Sequence, residues 1–145
     1  MSRDYRRKEQ TPTLTLETIY RMFKVGEQSN SQVIEEILSM KSSKKLPGLI
    51  DSTEAFMKRH GRHVKTAQLR NIYDKLLTKS EPSEIQLLRP KLVYVAARQD
   101  TDDAKAIIDF FNDIFKAVRS SEEVENLKIF FEAIVGYHKY HVGNS

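Results

Sequence analysis

Two pairs of histidines have the spacing of metal ligands in this sequence. His60 and His63 form one pair, and His138 and His141 form the other near the C-terminus. Imidazoles three residues apart lie on one side of a helix and can share a metal ion, but a zinc site needs a third or fourth ligand. The Glu of the metalloprotease helix pattern does not follow the first His of either pair. We therefore interpret His138 as a helix histidine with satisfied hydrogen bonds, and His60 and His63 as a solvated or phosphate-facing pair.

A second group with possible chemistry is the acidic cluster of Asp100, Asp102 and Asp103, which would suit Mg²⁺. A position at the start of a helix explains these residues without any metal, because the helix dipole favours anions there. The sequence has no Gly-x-Ser-x-Gly elbow, no glycine-rich phosphate loop and no cysteine. We predict that the chain is not an enzyme and that it holds no metal ion and no cofactor.

A basic cluster is the most informative chemical feature of the sequence. Five cations fall within thirteen residues: Lys58, Arg59, Arg62, Lys65 and Arg70. Long cations gathered at a helix–loop–helix junction form a natural clamp for phosphates, since they combine charge with forked donors. A solvated face is the alternative interpretation of the same residues. Nothing in the cluster encodes contacts to particular bases.

The net charge of +4 is unevenly distributed along the chain. Residues 1–79 carry 16 Lys and Arg against 9 Asp and Glu, a net of +7, whereas residues 80–145 carry 8 against 11, a net of −3. The first part therefore suits an anionic partner better than the second. No run of about 18 apolar residues exists, and the charged first ten residues are not a secretory signal. We expect no membrane partner and a cytoplasmic location.

Helical periodicity predicts an all-α fold, a compact helical bundle of about five to six helices. Residues 1–13 are predicted to be a disordered basic tail, since they have almost nothing to bury. Residues 14–48 are predicted to form an N-terminal helical extension, and residues 49–142 the helical core domain. The boundary follows from Pro47-Gly48, which we interpret as a strong helix breaker.

Particular residues are predicted to begin or interrupt the helices. Ser31, Thr66, Thr101 and Ser120 are expected to cap four of them. Pro90 is expected to mark a kink or the first turn of a helix, because a proline deep inside a helix costs about 3 kcal/mol. We favour a short helix before Pro90 and a longer one from Pro90 to Gln99.

Two glycines lie where a helix would not favour them. Gly61 is expected to end the preceding helix, because glycine is a good C-terminal stop. Gly136 lies inside an apolar helix, where glycine costs about 1 kcal/mol relative to alanine. We expect close helix packing at that position.

Three stretches carry a resemblance to a known family: QLRNIYDKLL at 68–77, LLRPKLVYVAARQ at 87–99 and FFEAIVGYHKY at 130–140. The central features are Gln68-Leu69-Arg70, then Pro90-Lys91-Leu92 with Tyr94 and Ala97-Arg98, then Phe131-Glu132-Ala133 with Tyr137-His138-Lys139. In this order and separation, they resemble the small-subunit family of type III-A (Csm-type) CRISPR effectors. The resemblance covers about residues 49–142, and Gly136 stands where alanine is expected in the family.

The resemblance implies a helical bundle without catalytic residues, whose copies stack head to tail beside the backbone-subunit filament that holds the guide RNA. The basic surfaces of such proteins line the channel where target RNA pairs with the guide, and other subunits cleave. The expected partners are guide and target RNA, the backbone and large catalytic subunits, and neighbouring copies of the chain. Base pairing would supply the sequence specificity of the complex.

Seven cations are the candidate RNA-binding residues: Arg59, Arg62, Lys65, Arg70, Lys91, Arg98 and Lys139. The last four lie in the resembling stretches, and the first three follow from charge clustering. Ion pairs of Arg98 with Glu132 and of Arg70 with Asp74 are structural alternatives. A helical DNA-binding regulator that uses residues 66–79 as a recognition helix is the alternative function, and a metal-dependent hydrolase is the rival from the enzyme class.

Overall fold

The computed structural model describes residues 13–143, which form seven α-helices and no strand. The helices are α1 (Leu16–Phe23), α2 (Asn30–Ile37), α3 (Leu46–His60), α4 (Thr66–Leu77), α5 (Pro82–Gln99), α6 (Asp102–Ala117) and α7 (Ser121–His141). Short 3₁₀ turns at Met40–Ser42 and Gly61–His63 precede α3 and α4. The all-α prediction is confirmed, with more helices than the five to six expected. The predicted tail, apart from Thr13, lies outside the described residues.

A cluster of aromatic rings from four helices forms the centre of the bundle. The ring of Phe110 on α6 stacks on Phe23 of α1 at 5.3 Å and meets the edge of Phe56 of α3 at 5.8 Å, between ring centroids. Phe111 meets the ring of Phe131 on α7 at 4.8 Å. Because all of these rings are buried, their burial is a dominant contribution to the stability of the bundle.

The first two helices share this core with the rest of the chain. The hydroxyl of Tyr20 on α1 donates a hydrogen bond to Oδ2 of Asp113 on α6 at 2.8 Å, and its ring is buried. Ile37 at the end of α2 is fully buried, and the backbone N–H of Lys41 donates to Oδ1 of Asn126 on α7 at 2.8 Å. Residues 14–48 therefore pack on the bundle, while their status as a separate extension stays a prediction.

The helix starts follow local capping chemistry. Thr101 and Ser120 cap α6 and α7 as predicted, since each hydroxyl accepts the backbone N–H three residues later at 3.1 Å. The prediction of Ser31 as a cap is wrong, because Ser29 caps α2. Gln32 decides the choice, since its side chain accepts the Ser29 N–H at 2.7 Å while its own N–H donates to the Ser29 hydroxyl, a reciprocal capping box.

The predicted cap at Thr66 is also wrong, because Thr66 is the first residue of α4 and Lys65 precedes it without a side-chain cap. The Thr66 hydroxyl instead donates to the carbonyl oxygen of Gly143, beyond the end of α7, at 2.5 Å. This side chain therefore connects the start of α4 to the residues that follow α7.

Both proline motifs were predicted to interrupt the helical structure, and in the structure neither does. Pro47 and Gly48 lie in the first turn of α3, where the missing N–H of proline needs no helical partner. Pro90 lies inside the continuous helix α5. Two contacts hold α5 on α6 just before the proline: the Gln86 amide donates to the Phe115 carbonyl at 2.9 Å, and Arg89 Nε donates to Asn112 Oδ1 at 2.9 Å. Packing of α5 on α6 thus outweighs the cost of an internal proline.

The structure confirms the prediction for one of the two glycines and contradicts the other. Gly61 ends α3 as predicted, because it is the C-cap that follows His60, although its φ of −59° is right-handed and not the left-handed geometry of a typical glycine stop. A Cβ atom there would lie 3.1 Å from both His138 Cδ2 and Val142 Cγ2, so the absent side chain permits a close approach of α7. A Cβ atom at Gly136 would meet nothing within 4 Å, so the prediction of close packing there is wrong.

Candidate nucleic-acid interface

One buried histidine closes the end of the bundle where the basic cluster lies. His138 on α7 is 1% exposed, and its Nε2 lies 2.9 Å from the carbonyl oxygen of Gly61 and 2.8 Å from that of Val64. A ring nitrogen that faces two carbonyl oxygens carries the proton and donates it. The interpretation of His138 as a satisfied helix histidine is confirmed, and this side chain fixes the position of the α3–α4 junction against α7.

Five of the seven candidate cations lie at this end of the bundle, which we call the basic end: Arg59, Arg62, Lys65, Arg98 and Lys139. They come from the last turns of α3, α5 and α7, the 3₁₀ turn and the residue that precedes α4. The side chain of Gln99 hydrogen-bonds that of Gln68, which places the end of α5 beside the start of α4. All five residues are exposed, so tertiary structure brings together cations that are up to 80 positions apart in the sequence.

The remaining two candidates lie on α4 and α5, farther from the basic end. Arg70 is exposed on α4, and Lys91 is exposed on α5 two turns before Arg98, a rise of about 10 Å. The alternative roles considered for Arg98 and Arg70, ion pairs with Glu132 and Asp74, are not seen among the ion pairs of residues 13–143. The guanidinium of Arg98 instead lies over the ring of Tyr94, 6.0 Å from its centroid.

A cleft between α4 and α5 adds polar residues that the sequence reasoning missed. It has a volume of about 220 Å³ and seven lining residues: Asn71, Ile72, Lys75, Leu88, Lys91, Tyr94 and Val95. Lys75 Nζ donates to Asn71 Oδ1 at 3.1 Å. The signal for Asn71 and Lys75 was present, because both lie on the polar face of the predicted α4 helix. Their position opposite Lys91 depends on how α4 and α5 pack. The residue pattern within one helix does not show that packing.

The histidine pair at the basic end is less solvated than predicted. His60 and His63 are half-buried with their rings stacked at 6.3 Å, and Nδ1 of His63 lies 3.5 Å from Oδ2 of Asp103. Burial lowers the pKa of His60, and the neighbouring His63 and arginines lower it further. Burial also lowers the pKa of His63, against the opposing effect of Asp103. These lowered pKa values favour the neutral imidazoles at pH 7, so the pair adds little positive charge to the basic end.

The acidic cluster has a structural use. Asp102 and Asp103 lie in the first turn of α6, and Oδ1 of Asp103 accepts the backbone N–H of Leu14 at 2.7 Å while Oδ2 faces His63. Within the part of the chain that the structure describes, no three His, Asp or Glu side chains are arranged to hold a metal ion. No described helix is long and apolar enough to cross a membrane.

A groove between α3 and α7 has the opposite character from the basic end. It has a volume of about 650 Å³ and eight lining residues: Ile50, Glu54, Ile129, Glu132, Ala133, Gly136, Tyr137 and Tyr140. Oε2 of Glu54 lies 2.9 Å from Nε2 of His141 at the end of this groove. None of the eight lining residues is a lysine or arginine, and the two carboxylates repel phosphates, so we exclude the groove from the candidate nucleic-acid interface.

The fold and the basic end together define a small all-helical protein with an exposed face that suits an anionic polymer. A family model described as Csm2 Type III-A matches residues 43–144, most of the chain. The chain therefore belongs to the Csm2 Type III-A family, and it is a small subunit of a type III-A CRISPR effector complex with other Csm subunits. The family resemblance found in the sequence is confirmed. Comparison with curated proteins finds no match, and comparison with solved structures finds none either.

Proposed function

We propose that the chain is a non-catalytic subunit that holds the backbones of the guide and target RNA. The observation that carries the proposal is the convergence of five exposed cations from separate elements at the basic end. Contacts to phosphates position a nucleic acid without reading its sequence. Pairing between guide and target then supplies the specificity, as in other RNA-guided systems.

The polar groups whose chemistry would suit catalysis have structural partners instead. His138 donates to backbone carbonyls, and Asp103 accepts from a backbone N–H and faces His63. These contacts support the assignment of cleavage to other subunits of the complex. The purified chain is accordingly expected to leave RNA and DNA intact in the presence of Mg²⁺, Mn²⁺ or Zn²⁺.

We also propose that copies of the chain stack head to tail along the filament formed by the backbone subunits, with the large catalytic subunit as a further partner. One basic end offers few phosphate contacts, so a single chain binds RNA weakly. Stacked copies would present their basic ends in series and multiply those contacts along one strand, because linked sites bind with a raised effective concentration.

The test replaces Arg62, Lys65 and Arg70 together by alanine. Affinity for single-stranded RNA should fall by a similar factor for unrelated sequences, because the interaction is electrostatic. The slope of log affinity against log salt should flatten by about 0.7 for each phosphate that is no longer neutralised, so by about 2 if all three residues bind one. The helical circular dichroism spectrum should be unchanged, since all three side chains are exposed.

A matched control removes the same charge from the opposite end of the bundle. Lys41, Lys44 and Lys116 are exposed near the start of α3 and the end of α6, so their replacement by alanine should affect RNA binding much less. If the Arg62, Lys65 and Arg70 variant folds and binds as tightly as wild type, both alone and in the complex, the basic cluster is a solvated face. Preferential binding to one duplex DNA sequence would favour the DNA-binding regulator instead.

A further inference from the structure

We propose that the cleft between α4 and α5 is a subsite for one unpaired nucleotide of RNA, whose base stacks on Tyr94 and whose phosphate lies between Lys75 and Lys91. This inference rests on the proposed function, because it assumes that RNA reaches the basic surface of the chain. The subsite adds a contact to a base, which phosphate contacts alone do not supply. Because only an unpaired base can make this contact, the subsite would distinguish single-stranded from double-stranded RNA.

The exposure of Tyr94 is the first observation. All seven phenylalanines of the chain are buried in the core, whereas Tyr94 is 62% exposed in the middle of a long helix. Among the rings and cations of residues 13–143, its ring meets only the Arg98 guanidinium, at 6.0 Å from the ring centroid. Stacking on exposed aromatic rings binds any base, because every base has a π-face, and neighbouring arginine adds a cation–π contribution.

The placement of the two lysines is the second observation. Lys75 on α4 and Lys91 on α5 line the cleft from opposite helices, and Tyr94 lies one turn after Lys91. The hydrogen bond from Lys75 Nζ to Asn71 Oδ1 positions the ammonium group in advance and leaves it two further donors. None of the lining residues is acidic, in contrast to the α3–α7 groove. The cleft is thus a pocket for a phosphate beside a platform for a base.

The nucleotide must be unpaired for its base to reach the ring of Tyr94. In a duplex each base is stacked between its neighbours and paired, so its face cannot reach a side chain on a helix surface. An unpaired nucleotide can turn its base onto the ring. Tyr94 should therefore contribute to the binding of single strands and unpaired positions, whereas the cations of the basic end contribute to single and double strands alike.

The experiment compares Tyr94→Ala, Tyr94→Phe and the control Tyr140→Ala by fluorescence anisotropy with single-stranded and duplex RNA. Tyr140 is 79% exposed in the α3–α7 groove, so its removal matches the loss of an exposed ring outside the α4–α5 cleft. Tyr94→Ala should weaken single-strand binding by about 5- to 150-fold with an unchanged salt slope, because stacking is worth about 1–3 kcal/mol per base. Tyr94→Phe should bind like wild type, and duplex binding should be unaffected.

Lys75→Ala tests the phosphate part of the subsite. It should reduce the salt slope by about 0.7, the value for one phosphate on a single strand, while the stacking contribution of Tyr94 remains. RNA with 2-aminopurine at a single unpaired position should show fluorescence quenching with the wild-type chain and not with Tyr94→Ala. If isolated chains bind too weakly to measure, the same variants are compared within the reconstituted effector complex.

The outcomes separate this inference from the proposed function. Full single-strand affinity in Tyr94→Ala, together with weakened binding in the Arg62, Lys65 and Arg70 variant, would overturn the subsite and leave the proposed function intact. If neither variant loses affinity, alone or in the complex, both the subsite and the proposed function are overturned. A Tyr94→Ala chain that binds RNA normally but sediments with altered self-association would show that α5 contacts protein, which also overturns the subsite.

Discussion

Replacing Gly61 and Gly136 by alanine, one at a time, should change the stability of the chain in opposite directions. Both glycines lie in or next to helices with right-handed geometry, so neither substitution strains the backbone. The two sites differ in the space available for one methyl group. At Gly61 it would lie 3.1 Å from His138 Cδ2 and Val142 Cγ2, and at Gly136 it would meet no atom within 4 Å.

The packing around each glycine sets the size of the two effects. His138 cannot retreat without lengthening its bonds of 2.9 and 2.8 Å to the Gly61 and Val64 carbonyls. Overpacking of this kind costs about 1–3 kcal/mol. The reduced freedom of the unfolded chain offsets about 0.4–1 kcal/mol, so Gly61→Ala should lower the free energy of unfolding by about 1–2 kcal/mol. Gly136→Ala should raise it by about 1 kcal/mol, the difference in helix propensity.

Urea and thermal unfolding, followed by circular dichroism at the helical minimum, measure both effects. For a chain of this length, 1 kcal/mol corresponds to about 2–4 °C in Tm, so the two variants should differ by roughly 4–12 °C. RNA affinity provides the control for Gly136→Ala, since that residue lines the α3–α7 groove and the substitution removes no charge. A Gly61→Ala chain as stable as wild type would refute the reasoning that His138 is fixed in place.

Two further predictions concern the N-terminal helix and the histidine pair. Tyr20→Phe should lower the free energy of unfolding by about 1 kcal/mol in urea titrations, because Asp113 loses the hydroxyl that donates to it at 2.8 Å; no change would show that α1 docks too loosely to matter. Burial places the pKa of His60 and His63 below the ordinary value of 6.5, so the unfolded chain binds more protons than the folded one as the pH falls. Stability should therefore be fully present above pH 6.5 and decline as the pH falls through the lowered pKa values, and a double substitution of both histidines by glutamine should flatten that decline in unfolding measurements.

The helices themselves were predictable because their determinants are local. The apolar stripes of α4, α6 and α7 repeat with the helical period, and capping hydroxyls at Thr101 and Ser120 mark the starts of two of them. Ser31 failed as a cap because a stronger local signal, the capping box of Ser29 and Gln32, lies beside it, whereas other predictions failed because the determinant lay outside the segment. Pro90 did not break α5, because contacts with α6 hold the helix together. Gly61 ends α3 as predicted, but the segment alone does not show that the close approach of α7 requires its missing side chain.

For the candidate site, the sequence alone determined the family, the helical class and the presence of a basic cluster, since these depend on residue types at short separations. Tertiary structure decided which cations share a surface. It joined Arg98 and Lys139 to the α3–α4 junction, placed Lys75 opposite Lys91, and left Tyr94 exposed beside them. A helical pattern shows which face of each helix is polar, but the packing of several buried faces at once sets which polar faces meet.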